Sequence, residues 1–138
     1  MCDAGNAGIS ILMLAVDKLI AAPPTAAWDV LVDLDAWPKW GPTVRGAQLD
    51  PPHTELALHA TGTVQTSLGF AVPFVITEFE PGRHWAWQVA GIPATHHRVH
   101  PVGDRARVSI AVPWWAGAYL AVCSIALRRI DALAREAP

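Results

Sequence analysis

From Val44 to Val112 the chain alternates apolar and polar residues and is cut by turn-forming residues at short intervals, which limits the fold more than any other feature. Alternation puts successive side chains on opposite faces of an extended backbone, so each segment reads as a strand with one face to bury. Six strands are predicted: Val44–Leu49, Leu56–Leu68, Phe70–Glu80, Arg83–Ala90, Ala94–Val102 and Arg105–Val112. Asp50-Pro51-Pro52, Gly69, Pro81-Gly82, Gly91-Ile92-Pro93 and Gly103-Asp104 separate them, all of it turn chemistry. Links this short join antiparallel neighbours, because a parallel crossover takes a dozen residues or more.

Such a sheet must be covered. After Pro113 the pattern changes to a long helix running to about Glu136, with Arg128, Arg129, Asp131 and Arg135 all late in it. Ahead of the six strands, Ile9–Ile20 is a further β-leaning apolar run. Pro23-Pro24-Thr25 then opens a helix in which Trp28, Leu31 and Val32 recur at helical spacing, and Pro38 ends it. Trp37-Pro38-Lys39-Trp40-Gly41-Pro42 is a stiff aromatic bend, and residues 1–8 read as a flexible tail. The expected fold is α+β: a curved, seven-stranded antiparallel sheet around a long C-terminal helix, in the order β-α-α-β6-α. Its 138 residues leave room for one domain, placed at residues 9–138.

Composition removes several functions. Only 16% of residues are charged, the net charge is −2, and no dense basic patch exists to neutralise a phosphate backbone, so no nucleic-acid partner is expected. Cys2 and Cys123 form neither a disulfide framework nor a metal-ligand spacing, which suits a reducing cytoplasm. Ile9–Val16 lacks a preceding basic region, and Asp17-Lys18 interrupt it before any cleavage site, so it does not read as a signal peptide. Trp114–Leu127 runs fourteen residues without a charge, short of the ~20 that span a bilayer. No stable membrane insertion is expected, and the protein reads as a cytoplasmic monomer or homodimer.

Strand parity sorts the candidate site. Trp85, Trp87 and Val89 share one face and His84, Ala86 and Gln88 the other. The first set is expected to face the last helix. On Ala94–Val102, Thr95, His97 and Val99 share a face, while His96, Arg98 and His100 share the opposite one, which the arginine marks as wet. Histidines scattered in this way do not collect a metal, and no metal or cofactor is predicted. His97 reads either as a structural buried imidazole or as a pocket hydrogen-bonder and acid–base group. Tyr119 follows Trp115 by four residues, so both lie on one helix face with Val122 and Ala126, beside a stripe of Leu120, Cys123, Leu127 and Ile130. Glu78 and Glu80 share parity with Phe74 and Ile76, while Phe79 sits on the other parity, leaving that strand end ambiguous. A space between a curved sheet and a Trp-Trp helix start suits a small-molecule cavity.

Two stretches carry a resemblance. Ile20-Ala-Ala-Pro-Pro-Thr-Ala-Ala-Trp-Asp-Val-Leu-Val-Asp-Leu-Asp-Ala-Trp-Pro-Lys-Trp40 resembles the opening of the polyketide cyclase/dehydrase-like branch of the SRPBCC superfamily, the START-like helix-grip proteins. Glu78-Phe79-Glu80-Pro81-Gly82-Arg83-His84-Trp85-Ala86-Trp87 resembles that branch's strand–turn–strand, and Thr95-His96-His97-Arg98 with Asp104-Arg105-Ala106-Arg107-Val108 its next hairpin. The resemblance implies a grip around a hydrophobic pocket bordered by Trp37. The expected ligand is a hydrophobic small molecule, polyketide-like, lipid or sterol-like, met by Trp37, Trp40, Trp85, Trp87, His97, Val99, Trp115 and Tyr119. Two alternatives stand beside plain binding: a polyketide cyclase/dehydratase using His97 and Tyr119, and a membrane-surface lipid-transfer protein using Trp114-Trp115.

Overall fold

A computed structural model describes residues 12–136. The expected tail and residues 9–11 of the first strand lie outside that range. Strand β1 (Met13–Ile20) leads into helix α1 (Pro24–Val32), where Pro24 takes a first-turn position that needs no N–H bond. One further turn, α2 (Trp37–Trp40), precedes six strands: β2 (Val44–Leu49), β3 (Thr61–Thr66), β4 (Ala71–Glu80), β5 (His84–Val89), β6 (Ile92–Val102) and β7 (Arg105–Pro113). A 3₁₀ segment, Trp114–Tyr119, then leads into α3 (Leu120–Glu136).

The strands form one antiparallel sheet in the order β1-β7-β6-β5-β4-β3-β2. β1 and β2 therefore sit on opposite edges, and α1 and α2 join them by crossing one face of the sheet. On that face α3 packs against β1, β7, α1 and α2, burying Cys123, Ala126, Leu127, Ile130 and Ala134. Both predicted stripes of the helix contribute to that buried set.

The structure departs from the sequence reading in β3, in β4 and at the start of the last helix, each for a local reason, and β6 takes in Ile92 and Pro93, expected in the preceding turn. Leu56–Ala60 is loop, not the start of a strand, and β3 begins at Thr61. Leu56 and Ala60 are nonetheless buried, and the loop is tied to β4 through His59 N–H to the Ile76 carbonyl (2.9 Å) and Ile76 N–H to the Ala60 carbonyl (2.9 Å). An apolar residue plugging the core from a loop looks like a strand residue in the sequence. The last helix also starts later than Pro113. Trp114 N–H donates to the Leu12 carbonyl (2.9 Å), extending the β1–β7 pairing, and Ala116 is non-helical at φ −106°, so the α-helix begins only at Leu120. In β4 an extra residue between Ile76 and Glu78 forms a bulge against β5. Phe79 is thereby turned inward onto Trp28 (centroids 5.7 Å, edge-on), and Glu78 and Glu80 are left exposed, which removes the parity ambiguity.

Candidate functional site

Two features of the chain hold the site's indoles. The final carbonyls of a helix have no partner within it, and here the α2 indoles supply them. Trp37 Nε1–H donates to the Leu31 carbonyl (2.9 Å) and Trp40 Nε1–H to the Val30 carbonyl (3.1 Å). Trp37 then lies flat on Trp85, with centroids 5.3 Å apart and planes 11° from parallel, and meets Trp87 edge-on. Phe74 closes the cluster against Trp37 and Trp87.

Beside this cluster is a cavity of about 500 Å³, between the 3₁₀ segment, parts of β3, β5, β6 and β7 and the β3–β4 turn, walled by Val64, Phe70, Trp87, Val89, Val112 and Trp115. Behind it a recess of about 50 Å³ reaches Trp37, Trp40, Trp85, His97, Cys123 and Ala126. Thr43, Val44, Trp87, Thr95 and Tyr119 border both. Among the described residues no charged side chain lines either space.

The hydrogen-bond network fixes its own proton positions. β6 carries an extra residue opposite Trp87, and there both Ala94 and Thr95 reach the cavity. Trp87 Nε1–H donates to Thr95 Oγ1 (2.9 Å), so the Thr95 hydroxyl is free to donate to His97 Nε2 (2.9 Å). His97 Nδ1 lies 3.3 Å from the Trp85 carbonyl, which only accepts, so the proton of the neutral ring sits on Nδ1. His97 is 2% exposed and stacks on Trp85 at 3.9 Å. Burial pulls its pKa down to about 3; the bond to the Trp85 carbonyl opposes the shift, and His96 and His84 add to it. The ring is neutral, and both nitrogens are engaged.

A second polar station faces the same space. Tyr119 Oη and Thr43 Oγ1 lie 2.6 Å apart, joining the end of the 3₁₀ segment to the α2–β2 link. Burial raises the Tyr119 pKa, partly offset by the bond to Thr43. Burial also pushes the Cys123 thiol up to about 11, so it behaves as a small apolar group. Trp85 Nε1–H is buried without a hydrogen-bond partner among the described residues.

Of the residues named from sequence, Trp37, Trp40, Trp85, Trp87, His97 and Tyr119 all border the recess. Trp115 borders the outer cavity only, and Trp37 the recess only, so the two indoles do not share a wall. Val99, 1% exposed, is core and lines neither space. On the opposite sheet face, His84 Nε2 meets Glu78 Oε1 at 2.8 Å and His96 lies 4.0 Å from it, so His96 and His97 point apart. Thr43 and Thr95 were not singled out by the sequence. Thr95 had the right parity, but nothing local to Thr43 places it against a tyrosine 76 positions later.

Solved structures of the same architecture exist. A hypothetical protein of Helicobacter pylori matches with a TM-score of 0.74 at 16% identity, covering 94% of this chain and 91% of that one. A protein of Mesorhizobium loti matches with a TM-score of 0.73 at 10% identity (92% and 99% covered), and one of Nitrosomonas europaea with 0.68 at 14% (91% and 95% covered). At these identities the likeness shows the fold alone. No curated protein matches in sequence. The family model described as polyketide cyclase/dehydrase and lipid transport matches residues 14–137, nearly the whole chain that builds the sheet, the aromatic cluster and the recess. The chain therefore belongs to the polyketide cyclase/dehydrase and lipid transport family.

Proposed function

We propose that the protein binds a hydrophobic small molecule, with the ligand's body in the larger cavity and one end at the Trp37–Trp85–His97 recess. The observation that carries this reading is an aromatic-walled cavity of about 500 Å³ with no charged side chain among the described residues that line it. That size and character match sites that enclose most of a small ligand's surface. Plain binding is favoured over cyclase chemistry because His97 already uses both ring nitrogens within the protein. A general base needs a free lone pair within reach of the proton it takes. The test is a tryptophan-fluorescence titration with fatty alcohols, sterols and aromatic polyketides. Saturable shifts in emission support binding, and no response from any of them defeats it.

One observation favours a second reading, ligand exchange at a membrane surface. Trp115 at the cavity wall is 54% exposed, its neighbour Trp114 59%, and Leu68, which also lines the cavity, 81%. Indoles favour the membrane–water interface. No helix among the described residues is long and apolar enough to cross a membrane, so contact would be superficial. Vesicle co-sedimentation of the wild type and of a Trp114→Ser, Trp115→Ser variant separates the readings. Equal sedimentation of the two excludes a role for these indoles.

A further inference from the structure

The polar groups of the cavity can be counted by what each still offers. Thr95 receives one hydrogen bond from Trp87 and gives its own proton to His97. Thr43 and Tyr119 bring two hydroxyl protons to a single contact, so one proton remains without an acceptor among the described residues. Trp85 also lines the recess, and its Nε1–H is a second donor without a partner among the described residues, fully buried. The cavity thus offers one free hydroxyl proton at the Thr43–Tyr119 pair, and every donor group in its described lining is neutral.

Deepening the binding reading, on which this rests, we infer that the cavity selects an uncharged ligand that brings a hydroxyl or carbonyl oxygen to the Thr43–Tyr119 pair, against the carboxylate of the same chain. A carboxylate moved from water into this space would lose its hydration and find no lysine or arginine among the described lining residues. His97 does not supply the missing charge, because burial holds it neutral. An alcohol, ketone or ester loses far less on entering. Its oxygen accepts the free hydroxyl proton, and an alcohol can also donate to the unused lone pair of Thr95.

The test compares decan-1-ol, methyl decanoate and sodium decanoate on the intact protein at pH 7.5, followed by tryptophan emission. Decan-1-ol and methyl decanoate should bind at least tenfold more tightly than decanoate. Decanoate binding as well as the alcohol overturns the inference while leaving the binding reading intact; that is the result expected if the chain enters tail-first and its head stays in water. No response to any of the three overturns this inference, and the binding reading then stands or falls on the sterol and polyketide titrations. A Thr43→Val, Tyr119→Phe variant checks the placement. Replacing both members of a hydrogen-bonded pair by apolar groups of the same shape is nearly neutral for folding. The variant should bind decan-1-ol severalfold more weakly and decane unchanged. Full retention of the alcohol's advantage over decane would overturn the assignment to these hydroxyls.

Discussion

His97 stacks on one indole and lies edge-on to two others, and the acid sensitivity of the fold follows from that placement. Its folded pKa of about 3 lies below the ordinary value of 6.5, so between those limits the unfolded chain binds a proton that the folded chain refuses. Stability is therefore full above pH 6.5 and falls as the pH drops, by about 1.4 kcal/mol per unit from this group alone. His96, also lowered chiefly by burial, adds to the fall. Urea midpoints from pH 7 to pH 4 should decline less steeply for His97→Gln than for the wild type. Equal slopes would mean that His97 is not buried as described. Gly62 allows a second check at this scale. A methyl there would meet the Gln48 carbonyl and the Phe74 ring, one of them rigid backbone. Gly62→Ala should lose about 1–3 kcal/mol in urea unfolding, as overpacked sites do. Trp37, 2% exposed and bonded to the end of α1, is as much a structural residue as a site residue. Truncation to alanine should cost about 3–5 kcal/mol, so Trp37→Phe is the informative variant for binding.

Among the elements, β4 shows how one extra residue decides what faces the core. Ile76 pairs with Trp87 and Glu78 with Ala86, two steps on β4 against one on β5, and both Thr77 and Glu78 point outward. Deleting Thr77 removes the extra residue and restores plain alternation with Phe74, Ile76 and Phe79 still inward. Deleting Val75 instead flips one side of the strand to the wrong face. The Thr77 deletion should keep a cooperative thermal transition by circular dichroism, and the Val75 deletion should abolish it. Survival of both would show that the register is not pinned by the core. The 3₁₀ segment is the other decisive element. By delaying α3 to Leu120 it sets Trp115 at the cavity wall and Tyr119 within reach of Thr43.

For the whole molecule, the sheet is larger than its helical cover. α1 and α3 pack over β1, β7 and β6, α2 reaches toward β2, and between them the wall is left to indoles and open space. A ligand filling that space binds only the folded state, so it must raise stability by mass action. Decan-1-ol at 100 times its dissociation constant should add about 2.7 kcal/mol, a rise in melting temperature of roughly 10 °C for a chain of this size. The rise should be unchanged by a chelator, because the site's donors are hydroxyls, indoles and an imidazole already committed within the protein. A shift that disappeared with the chelator would contradict that chemistry.

Alternation and turn residues specify the antiparallel strands, the covering helix and the inward parity of Trp85, Trp87 and His97. These depend on periods of 2 and 3.6 residues, which are local and repeat along the chain. Leu56 was misread because burial from a loop and burial from a strand leave the same apolar residue in the sequence. The bulges of β4 and β6, the late start of α3 and the Thr43–Tyr119 contact depend on one inserted residue in each strand, one backbone bond to Leu12 and a pairing across 76 positions. None of these has a period to reveal it. Local pattern therefore determined which faces are apolar, and tertiary packing alone decided where those faces fail to meet, which is the cavity.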